Sequence, residues 1–84
     1  MRFDVALAAL RLFKSRSLAT LAIQDGQALL NDQLVKPSHG VKPGDRITLA
    51  GPGGSRVCEV VDLPRASLSR AAARELVRDL PAPS

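Results

Sequence analysis

The chain has 84 residues, 45% of them hydrophobic and 24% charged, with a formal net charge of +4. That length fits one domain with one modest core, and that apolar content excludes general disorder. A single cysteine, Cys58, and a single histidine, His39, exclude an internal disulfide and a Cys/His zinc site within one chain.

In chain order, the opening "MRFDVALAAL" makes a poor signal peptide. Asp4 and Arg11 interrupt a short apolar run, and no small-residue cleavage site follows. No window approaches the roughly 18 apolar residues of a membrane span, so the expectation is a soluble cytoplasmic protein. Asp4 is a good helix N-cap for "VALAALRLF". On one continuous helix Asp4, Arg11 and Lys14 would share a face. Ser15 or Ser17 can cap a second helix over about residues 16–25, with Leu18, Ala19, Leu21, Ala22 and Ile23 buried. Arg16, Thr20 and Gln24 would form its solvent stripe, and Gly26 stands where a left-handed C′ residue belongs.

"QALLNDQLVK" reads as a hairpin turning at Asn31-Asp32, since both residues tolerate positive φ. "KPSHGVKPGD" is loop. "RITLA" and "RVCEVVDL" read as strands joined by the turn "GPGGS". "SLSRAAARELVRDL" predicts a helix with one stripe of Leu68, Ala72, Leu76 and Leu80 and another of Arg70, Arg74 and Arg78. "PAPS" ends it and frays. The fold class is α+β: two N-terminal helices on a small, mostly antiparallel sheet, plus a C-terminal helix. Residues 1–80 form a single domain, and 81–84 a frayed tail.

No set of residues suggests catalysis. His39 is alone in a Pro/Gly loop and reads as solvated, and Cys58 sits mid-strand as a structural thiol. "GPGGS" joins two strands, opens no helix and has no P-loop lysine. No metal or cofactor is expected.

The stretch "RLFKSRSLAT" concentrates charge instead. A basic balance favours polyanionic partners, and residues 1–46 carry seven Lys/Arg against four Asp/Glu. Arg11, Lys14 and Arg16 fall within six residues, with Ser15 and Ser17 among them, at the junction of the two predicted helices. A helix N-terminus with unpaired N–H groups, adjacent cations and a hydroxyl is an anion site. The same residues also fit a solvated face with Ser15 as a plain cap, and periodicity leaves both readings open. With two Phe and no Tyr or Trp, stacking of bases on exposed aromatics is not available. A nucleic-acid partner would be recognised by phosphate, ribose and shape.

Taken together, Arg2-x-Asp4-x-x-Leu7, Arg11, Lys14-Ser15-Arg16-Ser17-Leu18-Ala19, Ile23 with Gly26, Leu30-Asn31, Lys36-Pro37-Ser38, Val41 and Gly44-Asp45-x-Ile47 resemble the S-four RNA-binding domain, named after ribosomal small-subunit protein four. The rest of the chain is similar to the short stand-alone bacterial members, among them a ribosome-associated heat-shock protein and a ribosome quality-control protein. The resemblance implies the alpha-L RNA-binding motif, no catalytic activity, and binding to rRNA and tRNA on a stalled large ribosomal subunit. It implies an RNA-facing surface of Arg2, Arg11, Lys14, Ser15 and Arg16, flanked by Lys36 and Ser38. Gly26, Gly44 and Asp45 correspond to backbone-geometry positions, and Asp4 to a support residue that caps helix one and orients a neighbouring Arg. Val5 stands where members often carry Lys, and Asn31-Asp32 where Asn-Gly is usual. The chain is expected to be a monomer with no membrane partner. The alternative is a protein-interaction module using the Arg70/Arg74/Arg78 stripe, or an accessory domain that recruits an RNA-modifying enzyme.

Overall fold

The computed structural model describes residues 1–51, 54–64 and 69–81, with Arg70 by its backbone alone. The chain runs α1 (Phe3–Ala9), α2 (Arg16–Gln24), β1 (Ala28–Leu30), β2 (Arg46–Gly51), β3 (Gly54–Val60), α3 (Arg70–Arg74) and β4 (Val77–Leu80). The four strands form one antiparallel sheet in the order β1-β2-β3-β4. The α+β architecture is therefore as the sequence predicts.

The core joins the two N-terminal helices to one face of that sheet. Phe3, Ala6 and Leu7 of α1 and Ala19, Ala22 and Ile23 of α2 meet Ala28, Leu30, Ile47, Cys58 and Val60 in one buried cluster. Cross-strand register places those five sheet residues on one face, since directly opposed residues share a side and alternate residues return to it. Alanines at the helix contact let the two backbones approach closely.

Several elements depart from the sequence expectation. Asp4 is not an N-cap. Arg2 holds that position without a side-chain cap, and the N–H groups of Phe3 and Asp4 donate to the carbonyls of His39 and Pro37 at 2.8 and 3.2 Å. A tertiary loop thus supplies the acceptors that a capping side chain would otherwise provide. Helix α1 also ends earlier than predicted, at Ala9. Arg11 adopts φ 62°, so Asp4, Arg11 and Lys14 do not share a helix face. In α2, Leu18 and Leu21 are exposed, Leu21 by 55%. The helix turns its alanines inward, and Thr20 of the predicted solvent stripe is half-buried against α1.

Asn31 and Asp32 do turn the chain, both with positive φ, and Leu30 and Gln33 exchange backbone hydrogen bonds across them at 3.0 Å. Pairing across this turn stops at that one bridge, and β1 pairs with β2 along its other edge. The chain turns again at Lys42–Asp45, where Gly44 sits at φ 95°. The largest revision is at the C-terminal end. The helix is present but spans five residues, and the second half of the predicted helix is β4, paired with β3. "VRDL" alternates as a strand requires, and it covers the edge of β3 that would otherwise stay open. Arg78 and Asp79, which read as helix-face charges, form cross-strand ion pairs with Glu59 at 3.2 Å and Arg56 at 2.9 Å. Leu68, Pro52-Gly53 of the turn and 82–84 of the predicted tail lie outside the described residues.

Helices α1 and α2 end in the same motif. In α2 the Gly26 N–H reaches the Ile23 carbonyl and the Gln27 N–H reaches the Ala22 carbonyl, at 3.1 and 2.8 Å. In α1 the Arg11 N–H reaches Ala8 and the Leu12 N–H reaches Leu7, at 3.1 and 3.0 Å. Both are Schellman ends, which need a left-handed C′ residue. Gly26, at φ 75°, meets that need without strain, and a Cβ there would touch nothing within 4 Å. Gly26→Ala is therefore expected to destabilise the fold through the backbone alone, by about 1 kcal/mol, as measured by urea unfolding.

Candidate nucleic-acid interface

A buried carboxylate organises the surface on which α1 and α2 begin. Asp4 is 1% exposed. Its Oδ1 accepts from Arg2 Nε at 3.1 Å and from the Val5 N–H at 2.8 Å. Its Oδ2 accepts from Arg2 Nη2 at 3.1 Å, Arg16 Nε at 3.3 Å and Thr20 Oγ1 at 3.3 Å. Burial alone would raise the Asp4 pKa. The hydrogen bonds from Arg2, Val5 and Arg16, with the Arg16 charge, outweigh it and hold the carboxyl below its ordinary value.

The two guanidiniums stay at the surface, with side chains 49% and 55% exposed. Each has five N–H donors in a rigid fork, of which Arg2 commits two groups to Asp4 and Arg16 one. The remainder is available to a ligand. Ser15 is the N-cap of α2, its Oγ accepting from the Leu18 N–H at 3.2 Å, which leaves the hydroxyl proton free to donate. Residues 14–17 are all exposed. The contacts of Phe3 and Asp4 with His39 and Pro37, and a bridge between Arg2 and Gly40, dock the 36–40 loop against the start of α1. Lys36 and Ser38 are thereby exposed on the Arg2 side of the site.

Of the residues selected from sequence, the structure brings Arg2 and Arg16 together on Asp4, with Ser15 at the α2 cap. Lys36 and Ser38 lie on the loop docked against the start of α1, and Lys36 lines a groove with Ile23 and Gln24 at the end of α2. Arg11 and Lys14 stand apart on the α1–α2 connection, where they line a groove with Arg56 and Arg74. The sequence pattern does not single out Arg56, and Arg74 enters it only as part of the Arg70/Arg74/Arg78 stripe; their approach to the connection comes from strand pairing and the placement of α3, which no local pattern encodes. Of the support residues, Asp45 is buried, and accepts from the Lys42 N–H at 3.0 Å and from Asn31 Nδ2 at 3.1 Å. It ties the Asn31-Asp32 turn to the start of β2. Both Phe side chains are engaged with the core, Phe3 fully buried. Burial pushes the Cys58 thiol up, against the pull of Arg56 and with a further push from Asp79, which keeps it a protonated core group. Among the described residues no three His, Cys, Asp or Glu side chains gather as a metal site, and no helix is long and apolar enough to cross a membrane.

A half-exposed arginine pair fixed on one buried carboxylate, beside a hydroxyl-capped helix start, forms a surface suited to anions. The sequence profile of the S4 domain matches residues 1–47, and the chain belongs to that family. S4 domains are in general RNA-binding. Among solved structures, the trimeric Vibrio cholerae Heat Shock Protein 15 is similar at 30% identity and a TM-score of 0.89, over 95% of this chain and 81% of that one. A hypothetical protein, HP1423, solved in solution, is similar at 28% identity and a TM-score of 0.80, over 99% of this chain and 100% of that one. No curated protein sequence matches.

Asp4→Asn is expected to cost about 2 kcal/mol at neutral pH, since the charge-assisted bonds weaken together. Because folding lowers the Asp4 pKa, the unfolded state binds more protons just below the ordinary carboxylate range. Asp4 therefore stabilises fully above that range and less as pH falls through its folded value. Denaturant unfolding of wild type and Asp4→Asn should show a gap that is widest at neutral pH and closes in acid.

Proposed function

We propose that this protein binds structured RNA without catalysing a reaction, through Arg2, Arg11, Lys14, Ser15, Arg16, Lys36 and Ser38, with Asp4, Gly26, Gly44 and Asp45 as supports. The observation that carries this reading is the Asp4 cluster. It orients two guanidiniums outward at the start of α2, with unspent donors aimed at solvent. Such a surface suits phosphates, which arginine forks grip in bidentate fashion. The lack of an exposed aromatic platform among the described residues favours recognition of shape and backbone over stacking.

Within that reading, the target is rRNA and tRNA on the large ribosomal subunit, in a stalled complex, in the cytoplasm. The similarity to Heat Shock Protein 15 supports the heat-shock side of the assignment, and the resemblance of the sequence to ribosome-associated members supports the ribosome side. The surface lies within one chain, so a monomer suffices to bind, although the Vibrio cholerae protein is trimeric. Residues 1–80 act as one unit. The competing use of Arg70, Arg74 and Arg78 as one protein-binding stripe loses its geometric basis, since Arg74 lies on α3 and Arg78 on β4, where it pairs with Glu59.

Co-sedimentation with ribosomes, wild type beside an Arg11→Ala, Arg16→Ala variant, tests the proposal. Wild type should migrate with the large subunit at about 50 mM salt and lose roughly a hundredfold in affinity by about 300 mM, as several phosphate contacts require. The variant should fail to migrate at either salt. Equal wild-type binding at both salts would overturn the proposal.

Arg11 provides a second, sharper test. It occupies the left-handed position that α2 gives to glycine, at a cost of about 1 kcal/mol to an L-residue. Arg11→Gly relieves the left-handed strain and is expected to keep the fold, as checked by circular dichroism, while weakening RNA binding severalfold. A variant that binds like wild type would remove Arg11 from the interface.

A further inference from the structure

The groove beyond the α1–α2 connection shares Arg11 and Lys14 with the interface described so far, but its other cations have no role there. Among the described residues four cations line it: Arg11 and Lys14 from the connection, Arg56 from β3 and Arg74 from the end of α3. One carboxylate, Asp79 of β4, accompanies them, and Val77 adds an apolar wall. Register explains the assembly. Ile47, Cys58 and Asp79 are directly opposed across three strands, and Leu49 is opposed to Arg56, so Arg56 and Asp79 extend the sheet face that bears the core. The α1–α2 connection borders the same groove. Glu59 and Arg78, one residue along each strand, point to the opposite face.

Lys14, Arg56 and Arg74 converge on this concavity, and among the described residues that line it Asp79 is the one acid, which leaves a surplus of positive charge. The acid is also weakly held. The Asp79 side chain is 69% exposed and its pair with Arg56 is open to solvent, so it exchanges readily for another anion. Two of the four cations, Arg11 and Lys14, already belong to the proposed RNA surface.

Resting on the RNA-binding reading, we propose that this groove is a second arm of the interface. An RNA strand gripped at the helix junction continues past Arg11 and Lys14, and the groove takes its next backbone phosphates on Arg56 and Arg74. Asp79 acts as a stand-in anion that the phosphate displaces from Arg56. Continuity with the junction and the bidentate fit of guanidinium to phosphate favour RNA over an acidic peptide as the occupant.

The test measures binding of a fluorescein-labelled RNA hairpin and of purified ribosomes across a salt series, with four variants of the full chain. Arg56→Gln with Arg74→Gln should weaken binding about tenfold at low salt and reduce the magnitude of the log–log salt slope by about 2. Asp79→Asn should tighten binding severalfold, a gain that no folding defect can mimic. Arg78→Gln removes a charge from the other sheet face and should bind as wild type. The Arg11→Ala, Arg16→Ala variant should lose binding. If that variant fails while the Arg56/Arg74 pair and Asp79→Asn bind as wild type, the groove assignment is overturned and the RNA-binding reading stands. An Arg78→Gln loss as large as that of the Arg56/Arg74 pair would reduce the effect to net charge and also overturn it. Poly-glutamate that displaces the hairpin as well as unlabelled RNA does would assign the groove to a protein partner instead. Wild type without salt-dependent binding would overturn both readings.

Discussion

The buried Asp4 carboxylate is the constraint on which the rest of this surface depends. An ionised carboxylate taken out of water costs several kcal/mol unless its oxygens are satisfied. Here three side chains and a backbone N–H satisfy them, drawn from α1, α2 and the residue before α1. The charge therefore specifies how the two helices meet, since only one apposition brings Arg16 and Thr20 to Asp4. It also fixes two long side chains that would otherwise sample many rotamers. Arginines held in advance lose less entropy on meeting a phosphate than free ones do.

The same economy of position appears at the two helix ends. Helices α1 and α2 close with identical hydrogen-bond patterns, yet one uses Gly26 and the other Arg11 at the left-handed residue. A glycine would serve the first helix as well on conformational grounds. The arginine accepts a strained backbone and in return places a guanidinium on the groove beside the helix junction. A side chain on a continued helix, as periodicity suggested, would have pointed along the helix face and stayed there.

Strand β4 sorts the remaining charge. By pairing with β3 it places Arg78 and Glu59 on one side of the sheet and Arg56 and Asp79 on the other. Residues that looked like one helical stripe are thus divided between two surfaces. Only one of these adjoins the helix junction, and there the cations outnumber the acids. Exposed pairs of this kind add little stability, so their placement matters more for the electrostatic field than for the fold.

Much of this was legible in the residues themselves. Local rules located the two N-terminal helices, a serine cap narrowed to Ser15 or Ser17, Gly26 as a left-handed end, the Asn31-Asp32 turn and the β2–β3 hairpin, because each depends on φ preference or on a side chain reaching its own neighbours. The concentration of cations at residues 11–16 was equally plain. Non-local contacts decided the rest. Asp4 is a natural cap by type, but loop carbonyls took over the capping and released it to bind arginine. Leu18 and Leu21 are apolar by type, but the close approach of α1 and α2 selected alanines for the interior. "VRDL" satisfies helix and strand patterns alike, and the open edge of β3 chose the strand. The sequence by itself determined which segments turn, cap and carry charge, since those are properties of single residues and near neighbours. Tertiary structure alone decided which cations converge, because Arg56 and Arg74 reach the α1–α2 connection through strand register and packing across the whole chain.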